Sequence, residues 1–90
     1  MRTVDVCSAA WRVPVSVRRR CPTTVTVLET TASIGTGLLR RPVSALALRF
    51  GCHERTLRRG LAVLRDHGYV RTVEAAMHHR ACLRQLTMPK

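Results

Sequence analysis

The stretch from Ser44 to Val70, SALALRFGCHERTLRRGLAVLRDHGYV, constrains the fold most, because apolar residues recur at helical spacing on both sides of a glycine. Ser44 is of a type favoured at helix N-caps. Leu46, Ala47 and Phe50 then fall on one side of a short helix that Gly51, able to take a positive φ, can end. At roughly 100° per residue, Leu57, Leu61 and Leu64 line one face of a second helix. Arg55, Arg59, Ala62 and Asp66 fall near the opposite face, with Arg58 beside them. A helix patterned in this way needs a core on one side and water or an anion on the other. Gly68 is placed to close it, and Tyr69, Val70 and Val73 begin a segment with strand-forming side chains.

The basic stripe belongs to a chain with 16 basic residues against 5 acidic ones, a formal charge of +11, and all of the basic set except Lys90 is arginine. Such an excess predicts an anionic partner. Arginine presents a planar fork that pairs with phosphate or with a guanine edge, which favours nucleic acid over a diffusely solvated surface. Arginine-rich coding in a GC-rich genome is the plain alternative. Ninety residues, 46% of them hydrophobic, allow one small domain with a modest core, and with three aromatics that core must be aliphatic.

Two short helices joined by about three residues, the second basic on its outer face, form the helix-turn-helix arrangement, whose second helix can enter a DNA major groove. Ala47, Gly51 and Leu57 match the small residue, turn glycine and core aliphatic of helix-turn-helix proteins. RTLRRGLAVLRDHGYV resembles the recognition helix and strand entry of bacterial winged-helix regulators, and HHRACLRQLT is similar to the returning wing strand of the MarR class. The resemblance covers about residues 23–88. Gly60, where a larger helix former is usual, and His78, where the wing commonly carries an acid, depart from the pattern. The resemblance implies a mainly α fold with a small β-sheet (α+β): three helices plus a β-hairpin wing over residues 23–88; residues 1–22, a separate compositional zone, read as a basic N-terminal arm before it. The resemblance also implies a double-stranded DNA-binding protein with sequence preference, a transcriptional regulator acting as a homodimer. Arg55, Thr56 and Arg59 would face base edges, and Glu54 would accept from a cytosine amino group. Arg58, Arg41 and Arg80 would hold phosphates or the minor groove. The alternatives are a winged-helix protein-docking module and a DNA-binding protein of replication, plasmid or phage maintenance.

In residues 1–22, Val13, Val15 and Val17 alternate as in a strand, but Pro14 restricts them to a sheet edge or an extended arm. Arg18, Arg19 and Arg20 make a positive hinge suited to tracking phosphates, to an extended strand that pairs with a second protomer, or to a solvated tail. Trp11 is expected to dock on a core or an interface. Residues 23–39 are rich in β-branched side chains, yet Val25, Leu28 and Ala32 keep helical spacing. Thr26 and Glu29 have the spacing of a capping box, and Gly35 is placed to end the helix. Leu38–Val43 reads as a short extended return. Tyr69–Glu74 and Arg80–Thr87 read as two strands of a hairpin tipped by Ala75–His79, and Met88–Lys90 as a frayed end.

Cys7, Cys21, Cys52 and Cys82 contain no Cys-x-x-Cys pair, so they read as free thiols, although a mixed set of Cys52, His53, His78, His79 and Cys82 can be drawn. Neither a metal nor a cofactor is expected. Glu54, Asp66 and Glu74 stand near arginines as ordinary ion pairs, GTG at 35–37 lacks a phosphate-loop lysine, and no serine sits in a nucleophile motif. Enzymatic activity is therefore not expected. The absence of a signal-length or membrane-length apolar run points to a protein of the bacterial cytoplasm, associated with the nucleoid and not with a membrane, with a mitochondrial transit peptide as the alternative reading of the arginine-rich N-terminus.

Overall fold

The computed structural model describes residues 2–89, and it is a mixed α+β structure. Strand β1 (Thr3–Asp5) leads through a 3-10 turn at Ser8–Ala10 to helix α1 (Val15–Arg18) and helix α2 (Pro22–Thr31). Strand β2 (Leu38–Arg40), helix α3 (Val43–Phe50) and helix α4 (Glu54–Asp66) follow, and strands β3 (Val70–Glu74) and β4 (Leu83–Pro89) complete the order. β4 is the axis of an antiparallel sheet. It pairs with β3 through Val70↔Leu86 and Arg71↔Gln85, with β2 through Leu39↔Arg84, and with β1 through Val4↔Met88.

The N-terminal residues correct the expectation of a free arm. β1 pairs with β4 of the same chain, and the stretch over residues 13–17 that alternates as in a strand is instead extended only to Pro14 and then helical from Val15. Trp11 is buried, and its Nε1–H donates to the carbonyls of Tyr69 at 2.9 Å and Thr87 at 3.1 Å. Val13, Val17 and Cys21 join it in one core with Val25, Leu28, Leu57, Leu64 and Leu86. The physical reason is volume: few aromatic side chains are available, and the largest one fills the space between the sheet and the helices. Pro14 ends the alternation by opening a helical turn, with the amides of Val17 and Arg18 bonded to its carbonyl. Thr3, Met88 and Pro89 lie in this sheet, whereas Met1 and Lys90 of the expected arm and frayed end lie outside the described residues.

α2 starts with Pro22, a residue preorganised for the first helical position. Its polar side chains do not form the expected capping box. Thr26 Oγ1 donates to the Pro22 carbonyl at 3.1 Å, and Glu29 pairs with Arg18 at 2.9 Å. The helix ends at Ala32, which is already extended, so Gly35 is not its terminator. Three threonines of the helix, Thr26, Thr30 and Thr31, turn their hydroxyls back onto carbonyls four residues earlier, which hides their polarity within the helix.

α3 begins one residue before Ser44, with Pro42 at the cap position and no side-chain cap. Gly51 has φ +64°, and its amide and that of Cys52 reach back to Leu48 and Ala47, ending α3 and turning the chain into α4. Leu57 and Leu64 are fully buried and Leu61 packs beside them, as the spacing predicts. Gly60 is explained by packing. It is buried against α2, and a Cβ there would collide with the side chain of Thr24. The Tyr69 amide bonds the Leu64 carbonyl at 2.8 Å, so β3 starts at Val70 instead of Tyr69.

Candidate functional site

α4 carries Glu54 in its first turn and Arg65 in its last, the arrangement that suits the helix dipole. With its aliphatic stripe in the core, the opposite face is turned to solvent, and Arg55, Thr56, Arg58 and Arg59 are all exposed there. Arg58 Nε donates to Glu54 Oε1 at 3.2 Å one turn away, and Nη2 bonds the same oxygen. The acceptor expected for a cytosine and the cation expected for a phosphate are thus each other's partners. An exposed pair of this kind contributes only about 0.3–0.5 kcal/mol and opens readily.

Each of the other four carboxylates also has an arginine partner. Asp5 accepts a two-pronged contact from Arg71, with both bonds at 2.9 Å, Glu29 meets Arg18, Asp66 lies 3.7 Å from Arg65, and Glu74 meets Arg40. The fork of Arg71 holds the Asp5 carboxyl below the usual aspartate range. Arg55, Arg59, Arg41 and Arg80 have no such partner among the described residues, so uncompensated charge remains on α4 and beside it. Arg41 is exposed between β2 and α3. Arg80 lies outside β4, in a tight turn where the backbone groups of Met77 and Arg80 exchange bonds of 3.0 and 3.1 Å. Arg40 fixes the base of that hairpin by donating to the Ala81 carbonyl at 3.0 Å and to Glu74 at 2.9 Å.

Two hollows flank α4. One, of about 370 Å³, lies between α4, the first turn of α3 and the hairpin, and its polar lining includes Ser44, Glu54, Arg58, Arg65 and Arg84. The other, of about 190 Å³, lies between α4 and the start of α2 and is lined by Arg20, Thr23, Thr24, Thr56 and Arg59. The exposed ridge of α4 is therefore bordered by basic recesses on both sides. Arg65 and Arg84 are not among the site residues expected from the sequence, and Arg20 is expected there only as part of a phosphate-tracking hinge. Arg84 had a readable signal: in β4 it shares the parity of Leu86, so an arginine occupies an inward position.

No family model, curated protein or solved structure matches this chain. The drawn set of Cys52, His53, His78, His79 and Cys82 is not assembled, since no group of three or more His, Cys, Asp or Glu that could hold a metal lies together among the described residues. His78 and His79 meet edge to face at 4.4 Å on the exposed turn. All four cysteines are free, and burial pushes the Cys21 thiol up from its ordinary range. No helix among the described residues is long and apolar enough to cross a membrane.

Proposed function

We propose that this chain is a winged helix-turn-helix protein that binds double-stranded DNA with sequence preference and serves as a transcriptional regulator. The carrying observation is the outer face of α4: Arg55, Thr56 and Arg59 stand exposed together on one helix, and neither arginine has a carboxylate partner among the described residues. On this reading α4 enters the major groove with Arg55 and Arg59 toward base edges. Basic recesses to either side suit the two phosphate backbones that border the groove. The hairpin then extends toward the neighbouring minor groove, with Arg80 on its turn. Helix α2, strand β2, the α3–α4 pair and the β3–β4 hairpin follow one another in the order such a fold requires.

Titration of random duplex at several salt concentrations tests the reading. Affinity should fall steeply, with a log–log slope of about −0.9 for every phosphate neutralised. No binding at low salt, or a flat salt response, removes duplex DNA as the partner and leaves a docking module with a basic surface.

A further inference from the structure

The larger hollow beside α4 contains a charge that the protein does not neutralise. Arg84 is half-buried in its wall. Its Nη1 is closed off from solvent and has no hydrogen-bond partner, and its guanidinium meets no carboxylate among the described residues. Closing one nitrogen of a guanidinium off from water without a partner is costly, and an anion at the part of the group that still faces the hollow offsets that cost. Two further arginines face the same space, Arg58 and Arg65. The one carboxylate in the lining, Glu54, is already engaged by Arg58. The hollow also opens onto Val43 and Ser44, the first residues of α3, whose amides have no backbone acceptor among the described residues. A volume of about 370 Å³ admits an ion with room for its water.

We propose that the hollow between α4, the first turn of α3 and the hairpin is a seat for a single tetrahedral oxyanion of the phosphate type, anchored by Arg84 with Arg65 at its rim. The same chemistry is offered by a backbone phosphate of a duplex and by a free phosphate or phosphomonoester. The seat itself does not depend on the DNA reading, because it is defined by an unpaired cation in a cavity.

Inorganic phosphate is the probe, added to the whole chain against sodium chloride of equal ionic strength and followed by two-dimensional amide and guanidinium NMR. The expected result is a saturable shift at the Val43 and Ser44 amides and at Arg84 Nε. Arg84→Met, which keeps the aliphatic stem, should weaken it by about tenfold or more, as loss of a charged hydrogen bond implies. Arg65→Ala, an exposed change that leaves the fold intact, should weaken it several-fold. Arg49→Ala, on another surface, should leave it unchanged. Shifts that grow linearly without saturating, that spread evenly over the surface arginines, or that are the same in Arg84→Met and Arg65→Ala would overturn the proposal. A duplex arm then assigns the source. If a backbone phosphate occupies the seat, Arg84→Met lowers random-duplex affinity and reduces the salt slope by about one ion. If a free phosphate compound does, the same change leaves duplex binding intact. A chain that takes phosphate saturably and binds no duplex retains the seat and loses the DNA reading.

Discussion

Gly60 has no side chain, and for that reason α4 can lie directly against Thr24 of α2. On an exposed helix, Gly60→Ala would add roughly 1 kcal/mol of stability through backbone propensity. Here the new methyl group enters occupied space, and overpacking of this kind costs about 1–3 kcal/mol. Urea denaturation should therefore show a net loss for Gly60→Ala, and a gain would mean that the two helices are not in close contact. The glycine was visible in the sequence as a departure from a winged-helix pattern. Its reason was not, because it depends on a threonine 36 positions earlier that no local rule pairs with it. Asp5 gives a second prediction at this scale. Its folded pKa is lowered by the Arg71 fork, so its contribution to stability is present above the unfolded aspartate value and is lost as pH falls through the folded value. Asp5→Asn should lower the melting temperature near neutral pH and converge with the parent chain in strong acid. The difference should shrink with added salt, because the pair is exposed. A pH-independent difference would assign the effect to something other than this carboxylate.

Among the elements, the N-terminal segment departs furthest from the sequence reading. Read locally it is a basic tail broken by prolines. Folded, it supplies β1, the Trp11 anchor and three further core residues. Its pairing with β4 joins residues more than 80 positions apart, and Val4 and Asp5 are exposed, so neither composition nor alternation marks the strand. Removing residues 1–21 should therefore open the core, giving a chain without a cooperative thermal transition in place of a folded monomer. A truncated chain that still melted cooperatively would show that the segment is dispensable. The α3–α4 pair was legible for the opposite reason: its signals are local, with aliphatic residues at helical spacing and glycines where φ turns positive. Strand and helix ends moved by a residue or more where backbone bonds settled them, as at Tyr69 and Ser44.

For the whole molecule, the excess of basic residues sets the behaviour in solution, and the distribution of the five acids decides where that excess is felt. Every acid is paired with an arginine, and among the described residues the arginines left without a carboxylate include Arg55 and Arg59 on α4 and Arg41, Arg80, Arg84 and Arg20 around it. The exposed members of the candidate site on α4 were readable from helical period alone. Strand parity marks Arg84 as inward and the arginine run marks Arg20 as basic, but that each lines a recess beside α4 is not legible, because a recess exists only once two elements meet. The central claim, that α4 reads sequence and does not merely carry charge, is tested most directly by competition between a selected duplex and random duplex for Arg55→Ala, Arg59→Ala and Arg80→Ala at two salt concentrations. All three changes remove the same formal charge. Arg55→Ala and Arg59→Ala should cost about 1–3 kcal/mol on the selected sequence and little more than a lost charge on random duplex, whereas Arg80→Ala should weaken both by a similar factor. Equal losses on both duplexes for all three variants would contradict sequence reading by α4.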